Sequence, residues 1–556
     1  MLTEKPFMPK FPFWVFILIA ILYFTAVRVD TMDIDASQYA EISREMLKSG
    51  DYLHVFDRGN DYLDKPPFLF WASAASMKVF GVNNFGYKFP SVLFALLAIW
   101  ATYKLAKNLY GEVTGRIAAL ALATCQGMFL MTNDIRCDTI LMSCVITAIW
   151  LIHEWTINRK LLFLLAGCAA IALGMMTKGP IALMVPVFCF ASDWLLKRQW
   201  RNFIQPAFIP GIIVIGLLLI PMSIGLYQQF DLHPEKIVNG KHGVSGLRFF
   251  YWTQSFGRIT GESPWKNDVD ISFLFVNMLW SFLPWIFLLI PALILTCIML
   301  VRQKFRLLAG QEWLSTGGFL LTYLALGSSA YQLPHYIFVA FPLAAIIIAR
   351  FLYQLIEEKK YRRLYNVMMP FQIVIIFAIL LAALLLIVYV FPAGLLAIAV
   401  WLACFIFWLF LAFLKSLKGK ILWLSATGMV IVNIFLTNYV YPELLHYQVG
   451  SEVGKYIHLH SIEPGDIGIY KMDDALMSIN FYSQGSVAHI DTLTNLRNIK
   501  YILTTDKGIN DLKQKGFGFQ IEKQGLFFKV SELTPEFLNP KTRSTTTRNY
   551  YLAKFK

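Results

Sequence analysis

Three short polar clusters in this strongly apolar chain combine carboxylates with basic residues. The first two lie in the segment Thr31–Pro67, which follows the first long hydrophobic run and contains Asp35, Asp64 and Lys65. The third contains Asp138 and follows the third apolar run. Such groups can bind an anion or act as acid and base. Ionisable residues beside a membrane-embedded core predict a functional site.

The residues from Asp35 to Met46 predict a short amphipathic helix in the membrane interface, with Tyr39, Ile42 and Met46 on its apolar face. Its other face is polar, with Glu41, Arg44, Glu45 and Lys48. Asp35 stands at the start of this helix, and Gln38 three residues later matches a capping box. Two interpretations therefore stay open for Asp35, a helix cap and a catalytic carboxylate, and one residue can serve as both.

Asp64 and Lys65 precede two prolines, Pro66 and Pro67. Proline restricts the residue before it to extended conformations, and consecutive prolines stiffen the turn. Lys65 is therefore well placed to hold an anionic group such as a phosphate. The alternative is a surface lysine that precedes a helix.

The third cluster contains Asp134, Arg136 and Asp138 between the third and fourth apolar runs. Carboxylates at a bilayer boundary are costly unless they are paired or used in function. Pairing with Arg136 is one interpretation and a functional role is the other. Asp138 is the stronger functional candidate of the two carboxylates.

Further polar residues interrupt the apolar runs on the same predicted face. They are Lys178, Arg258, Tyr331, His335 and Tyr336. A lone lysine at the end of a span usually extends to the interface, and a lone histidine is more often structural than a ligand. Their convergence on one face nevertheless predicts a cavity with cations for a phosphate, carboxylates for a sugar and apolar walls for a lipid chain.

The composition indicates a polytopic membrane protein. Of 556 residues, 57% are hydrophobic and only 15% are charged. The net charge of +14 reflects basic residues in short connections between apolar runs, which set membrane orientation. We therefore expect no nucleic-acid partner. The seven cysteines show no CxxC spacing, which argues against a zinc site or a disulfide framework.

A membrane span needs roughly 20 apolar residues, and the sequence predicts about thirteen such helices. They lie near 11–28, 87–106, 112–131, 138–156, 161–177, 180–196, 204–226, 279–301, 312–329, 335–355, 366–390, 393–414 and 421–441. The basic connections and the N-terminal residues Lys5 and Lys10 fall on one side, which the positive-inside rule makes cytoplasmic. The N-terminal run shows no cleavage signature, so we expect an uncleaved first span.

The predicted domains are a transmembrane domain over 1–441, with periplasmic segments 29–86 and 227–278, and a soluble periplasmic domain over 442–556. Four strand-like runs near 465–470, 485–491, 500–505 and 519–530 predict that the second domain has a small α/β fold, with helices at 451–459 and 507–515. The basic, threonine-rich residues 540–556 predict a tail.

The order of these motifs resembles that of the GT-C-type membrane glycosyltransferases, in the superfamily of the aminoarabinose (L-Ara4N) transferases and protein O-mannosyltransferases (glycosyltransferase family 39). The similar motifs are DxxxYAExxREML after the first span, KPP, a carboxylate after the third span, KGP, and LPHY followed by FPLAA. They cover spans one to ten in order. The C-terminal domain makes the aminoarabinose transferases the closer match.

This resemblance implies inverting transfer of a sugar from a polyprenyl (undecaprenyl) phosphate carrier on the periplasmic face of the bacterial inner membrane. It assigns Asp35 and Asp138 as the acidic catalytic residues, Lys65 as a donor-phosphate ligand and Tyr39 as a substrate contact. We add Lys178 and Arg258 as further phosphate ligands. Tyr331, His335 and Tyr336 are added as substrate contacts.

The resemblance also raises the question of a divalent metal. Asp64 stands where the aminoarabinose enzymes have a glutamate that helps to hold one. The partner histidine is replaced by Ser255, although His242 or His335 remain possible ligands. No nucleotide fingerprint occurs, as expected for a lipid-linked donor.

The expected acceptor is lipid A, which would receive aminoarabinose. Protein mannosyltransferases carry an Asp-Glu pair at the first acidic site, whereas Ala36 follows Asp35 here, which disfavours a protein acceptor. The alternatives are a protein or other envelope-glycan glycosyltransferase and a flippase or transporter of lipid-linked sugars. Transporters usually hold charges near the bilayer midplane, whereas these clusters lie at one edge.

Overall fold

The structure is a computed structural model that describes residues 13–556 apart from 239, 264, 268, 309, 416, 473–475 and 494–498. Lys5, Lys10 and the predicted first two residues of the first span lie outside this range. Within it, the architecture is mostly helical, and a single five-stranded sheet lies near the C-terminus.

Eight helical segments among the described residues are long and apolar enough to cross a membrane. They are Asn84–Tyr110, Cys137–Asn158, Leu161–Lys178, Trp200–Asp231, Pro334–Ile356, Arg362–Val390, Leu395–Phe413 and Lys420–Leu445. A ninth span results if Glu112–Ala123 and Gln126–Asn133, bent by 53°, are counted together. The protein is therefore a polytopic membrane protein.

Five further apolar helices are shorter, and four of them fall on predicted spans. These four are Trp14–Arg28, Ile181–Leu196, Ile286–Arg302 and Leu314–Gly327. The fifth, Phe68–Phe80, belongs to the segment predicted to be periplasmic. Every predicted span thus coincides with an apolar helix, while the number thirteen stays a prediction because these four helices are short.

The predicted amphipathic helix is present as Asp35–Ser49, here called the juxtamembrane helix. Two residues of its polar face are nevertheless buried: Glu41 and Arg44 are only 1% and 4% exposed. The two side chains pair at 2.7 Å, and Arg44 also donates to the carbonyl of Gln484 at 3.2 Å. The helix packs between Phe68–Phe80 and the C-terminal helix Met477–Ser483.

The remaining elements of the two segments predicted to be periplasmic are short. They are the hairpins Phe56–Asp57 with Asn60–Asp61 and Ile237–Val238 with Lys241–His242, and the helices Gly246–Arg248, Phe256–Thr260 and Phe273–Ser281. The last of these helices precedes Ile286–Arg302, so the eighth predicted span, 279–301, is divided by the turn at Pro284.

The C-terminal region contains a mixed five-stranded sheet. In spatial order its strands are Ala488–Ile490, Ile467–Tyr470, Tyr501–Thr505, Arg548–Phe555 and Phe519–Phe527. Its principal helices are Val449–Leu459, Met477–Ser483 and Asp506–Gln514. The four predicted strands and both predicted helices are present.

The prediction of a tail over 540–556 was wrong, because Arg548–Phe555 lies inside the sheet between two antiparallel partners. Tyr550 and Leu552 alternate towards the core and are 3% and 0% exposed. Ala553 alternates to the opposite face and is buried as well, at 0% exposed. Composition alone indicated a tail because the strand carries two exposed basic residues, Arg548 and Lys554, near its ends.

Candidate functional site

A cavity at one end of the helical bundle brings together cationic side chains from distant parts of the chain. Its lining includes Lys65, Lys178, Gln254, Arg258 and Tyr336. Lys65 precedes the helix Phe68–Phe80, and Lys178 is the last residue of Leu161–Lys178. Four of these residues were predicted as phosphate or substrate ligands, and three of the four are cations from separate elements. Their positive charges favour an anionic ligand.

Lys178 and His335 both contact the buried carboxylate of Asp138. The ammonium of Lys178 lies 2.5 Å from Oδ1, and Nε2 of His335 lies 3.6 Å from Oδ2. Asp138 is only 2% exposed. This carboxylate therefore orients Lys178 and His335 from behind the cavity wall and does not itself line the cavity.

Arg258 is buried at the cavity without a carboxylate partner among the residues that the structure describes. It donates from Nη1 to the Tyr336 hydroxyl at 2.6 Å, and its guanidinium lies 5.3 Å from the ring centroid of Tyr331. Its Nε has no hydrogen-bond partner in the described part of the chain. A buried charge is costly unless it is paired, so this guanidinium is suited to an anionic ligand.

The ring of Tyr336 connects the two cations. The ammonium of Lys178 lies 3.9 Å from its centroid, while its hydroxyl accepts the hydrogen bond from Arg258. Cation–π contact and hydrogen bonding hold both side chains in place. Tyr331, His335 and Tyr336, predicted as substrate contacts, are thus brought to the cationic site, where two of them contact its cations and His335 contacts Asp138.

Lys65 forms an ion pair with the neighbouring Asp64. Burial alone would lower the pKa of Lys65, but the attraction of Asp64 outweighs it and holds the pKa above its ordinary value. Lys65 is therefore cationic at neutral pH. The side-chain amide of Gln254 donates to both the backbone carbonyl and the carboxylate of Asp64, the latter at 3.2 Å.

These contacts do not fit a metal at Asp64. An ammonium and an amide N–H₂ are hydrogen-bond donors, which a cation repels, and they occupy the carboxylate. No group of three or more His, Cys, Asp or Glu residues with metal-binding geometry occurs in the described part of the chain. Of the two predicted histidines, His335 contacts Asp138, and His242 contacts the carbonyl of Glu235 at 3.3 Å.

Asp35 is the first residue of the juxtamembrane helix, and its side chain does not cap it. The capping-box prediction was therefore wrong, and Gln38 instead donates to Asp57 at 2.8 Å. The carboxylate of Asp35 pairs with Arg136, which also contacts Asp134 at 2.9 Å. Burial lowers the pKa of Arg136, but the two carboxylates raise it overall.

The two predicted catalytic carboxylates differ in accessibility. The side chain of Asp35 is 36% exposed, whereas that of Asp138 is 3% exposed. Tyr39, predicted as a substrate contact, is 3% exposed and packs against Phe70 at a ring distance of 5.8 Å. Asp35 and Tyr39 are not part of the cavity lining, and burial raises the pKa of Tyr39 above its ordinary value.

The sequence analysis did not identify Gln254 as a site residue, because the family resemblance placed Ser255 at the position of the metal-binding histidine. The sequence YWTQSFGR places both residues and Arg258 within two helical turns. Only the fold decides which of them faces Asp64. The signal in the sequence was that Gln254 is a polar residue between two aromatic residues, Trp252 and Phe256.

Comparisons with known proteins agree with this architecture. Residues 64–224 match the family described as dolichyl-phosphate-mannose-protein mannosyltransferase. An undecaprenyl phosphate-alpha-4-amino-4-deoxy-L-arabinose arabinosyl transferase of Edwardsiella ictaluri is 25% identical over 334 residues, 58% of this chain and 56% of that protein. One of Pseudomonas fluorescens is 25% identical over 337 residues, 59% of this chain and 55% of that protein. This chain thus spans about half the length of the curated relatives it matches.

Crystal structures of ArnT from Cupriavidus metallidurans share the fold over nearly the whole chain. The structure bound to undecaprenyl phosphate has a TM-score of 0.70 and 16% identity, and covers 97% of this chain and 98% of that one. The apo structure has the same TM-score and 17% identity, and covers 97% of both chains. The predicted resemblance to the GT-C-type glycosyltransferases of the aminoarabinose transferase and protein O-mannosyltransferase superfamily is confirmed.

Proposed function

We propose that this GT-C-type protein is an inverting glycosyltransferase that moves a sugar from a polyprenyl (undecaprenyl) phosphate carrier to an envelope acceptor. The favoured reaction is transfer of aminoarabinose to lipid A on the periplasmic face of a bacterial inner membrane. Its relatives carry undecaprenyl phosphate-aminoarabinose transferase names, and the fold is shared with ArnT.

The observation that carries this proposal is the group of three cations at one cavity. Arg258 is buried and has no carboxylate partner among the described residues, and Lys65 and Lys178 line the same space. Lys65 and Lys178 each have one carboxylate partner, so the third positive charge remains for a ligand. A phosphate group at the end of a lipid chain carries the negative charge that would balance this excess positive charge.

The proposed chemistry is an in-line displacement at the anomeric carbon. The acceptor oxygen forms a bond to that carbon while the bond to the phosphate oxygen breaks, and polyprenyl phosphate leaves with the electron pair. A phosphate is already a good leaving group. Lys65, Lys178 and Arg258 therefore act by holding its charge in place as it develops.

Asp35 and Asp138 take different parts in this proposal. Asp35 is the more exposed carboxylate, and Arg136 holds its position. With a hydroxyl acceptor Asp35 is the general base; with a lipid A phosphate it orients the sugar or the acceptor. Asp138 orients Lys178 and His335 from beneath the cavity wall.

The proposed orientation puts the N-terminus in the cytoplasm and the C-terminal region 442–556 in the periplasm as a soluble α/β domain. The basic connections on the side opposite the cavity support it. The contact of Arg44 with Gln484 supports an outer location for the C-terminal region too, because Arg44 lies on the juxtamembrane helix beside the site.

A protein or other glycan acceptor is the second candidate function. The match of residues 64–224 to the protein mannosyltransferase family supports it. A flippase is disfavoured because the charged groups cluster at the ends of the apolar helices, as Lys178 does at the last residue of its helix.

The test is transfer by the purified full chain in lipid, with polyprenyl-phospho-aminoarabinose as donor and lipid A as acceptor, read by mass spectrometry. We expect a sugar-sized mass gain on lipid A that is reduced in Asp35→Asn and Lys65→Ala at limiting donor and early times, and unchanged in Lys78→Ala, which alters an exposed lysine. No gain with the parent protein would exclude the lipid A reaction. Mannose donors with protein or glycan acceptors would then test the second candidate.

A further inference from the structure

A basic cleft lies at the end of the bundle opposite the candidate site. Asp138 is near the first residue of the helix Cys137–Asn158, and the cleft residue Arg159 follows its last residue. This helix of 22 residues is roughly 33 Å long at 1.5 Å per residue. The cleft and the cationic cavity are therefore separated by about the thickness of a bilayer core.

The basic residues of the cleft come from two separate connections. Arg159 follows one helix, and Lys197, Arg198 and Arg201 follow the helix Ile181–Leu196. A positively charged loop by itself indicates only membrane orientation. Here, however, the side chains line one concave surface together with the half-buried ring of His153, whose Nδ1 has no hydrogen-bond partner among the residues that the structure describes.

Most of this positive charge is uncompensated. Lys197 pairs with Asp193 at 2.8 Å, and the other carboxylate oxygen of Asp193 accepts from the backbone N–H of Trp313 at 2.8 Å. For Arg159, Arg198 and Arg201, no carboxylate lies within ion-pair distance among the residues described. Three guanidinium groups therefore remain to bind an anion. Arginine binds phosphate oxygens with two parallel hydrogen bonds.

The rim of the cleft is apolar on one side. Trp200 belongs to the lining and is 61% exposed, and Ile204, four residues later, is 86% exposed. The helix Phe208–Leu226 continues from there with Ile209 and Ile212 more than half exposed. An anionic head in the cleft could thus be followed by an apolar chain along this helix. A tryptophan at this level is typical of the membrane interface.

We propose that this cleft binds the headgroup of an anionic phospholipid from the leaflet opposite the candidate site. The arginines contact the headgroup phosphate, and the acyl chains lie along Phe208–Leu226. Basic pockets between membrane helices on the cytoplasmic side bind such headgroups. A zwitterionic phospholipid lacks the net charge that the three unpaired guanidinium groups require.

The test uses the purified full chain in phosphatidylcholine with added cardiolipin, and native mass spectrometry to measure retained cardiolipin. The variant Arg198→Gln/Arg201→Gln removes two charges from the cleft. A basic residue near an anionic membrane surface contributes about fivefold in affinity. We therefore expect cardiolipin affinity to fall about thirtyfold in this variant.

The matched control is Arg302→Gln/Arg306→Gln, which removes two exposed arginines from another connection on the same side. Its cardiolipin affinity is expected to equal that of the parent. If both variants lost the same cardiolipin affinity, the loss would come from general surface charge, and the proposal would be overturned. Unchanged affinity in the cleft variant would overturn it too.

Two further measurements keep the result decisive. First, parent and variants must have equal melting temperatures in phosphatidylcholine alone, which shows that the variants are folded. If the double variant Arg198→Gln/Arg201→Gln unfolds, the single variant Arg201→Gln replaces it. Inorganic phosphate is added in a separate arm. Displacement of cardiolipin by equimolar phosphate would show that the cleft binds free phosphate and would overturn the lipid assignment.

Discussion

Asp138 and Lys178 form an ion pair of 2.5 Å beneath the wall of the cationic cavity, although 40 positions separate them in the chain. The carboxylate is buried, and the lysine reaches the cavity. The pair therefore joins the start of Cys137–Asn158 to the end of Leu161–Lys178. It orients one cation of the site and compensates a charge that could not otherwise be buried.

Replacing Lys178 alone is expected to destabilise the protein. Lys178→Met leaves Asp138 as an unpaired buried charge, and such losses cost about 3–5 kcal/mol. Denaturant unfolding in detergent measures this loss. The double variant Asp138→Asn/Lys178→Gln should recover most of the stability while transfer stays low. A Lys178→Met protein as stable as the parent would contradict this account of the pair.

Lys65 is expected to act mainly in donor binding. Lys65→Ala removes a charge-assisted contact to the phosphate, which is worth about 1.5–3 kcal/mol. The KM for the polyprenyl-linked donor should therefore rise by about tenfold or more. Lys65→Arg should recover part of this loss, and Lys78→Ala should match the parent. Steady-state kinetics with donor varied at fixed acceptor provide the measurement, and an unchanged donor KM in Lys65→Ala would exclude this role.

Asp35 is expected to affect the chemical step. Asp35→Asn keeps the shape of the side chain but removes the charge paired with Arg136, so the reacting groups lose their alignment. A displaced reactive group can cost about a hundredfold in rate, and we expect kcat to fall by about this factor. Single-turnover transfer separates this step from donor binding. A full rate with the variant would leave Asp35 as a structural partner of Arg136 only.

Transfer is expected to be independent of a divalent metal, because Lys65 and Gln254 occupy the carboxylate of Asp64. Treatment with a chelator should leave the rate unchanged, and elemental analysis of the purified protein should find no stoichiometric zinc. Gln254→Ala should lower donor affinity, since Asp64 then loses the amide that holds it. Chelator inactivation that zinc reverses would contradict this prediction.

Asp33 predicts a pH-dependent stability. Burial raises its pKa from 3.8 to about 6, although hydrogen bonds from Ser37 and Ser478 oppose the shift. Between these two pKa values the folded state keeps a proton that the unfolded state has lost. The contribution of Asp33 to the free energy of unfolding is therefore fully present below pH 3.8 and disappears as the pH rises through about 6. The difference is on the order of 3 kcal/mol.

The measurement is the free energy of unfolding of the parent and of Asp33→Asn across this pH range. The variant, which cannot titrate, should lose the decline seen in the parent. Asp270→Asn, which alters an exposed outer carboxylate, should keep it. An identical pH profile for the parent and Asp33→Asn would rule out this role of Asp33.

The positions of the apolar helices and the three cations that line the cavity could be predicted from the sequence by itself. In a bilayer the backbone N–H and C=O groups of a long apolar run cannot bond to water, so such runs form helices, whose backbone bonds to itself. Lys65, Lys178 and Arg258 stood out because charged residues are rare at the ends of such runs. The strand Arg548–Phe555 did not stand out, since its burial depends on two partner strands that local composition does not specify.

The partners of each charge were decided only by the tertiary structure. Capping by Asp35 was predicted from local spacing, whereas its actual partner Arg136 lies 101 positions away. Lys88 is fully buried, and its ammonium donates to the carbonyls of Val29 and Asn133 at 2.8 Å each. Local sequence determines where a helix can form, but the partner of a buried charge depends on which distant backbone and side-chain groups the packed helices bring within hydrogen-bond distance.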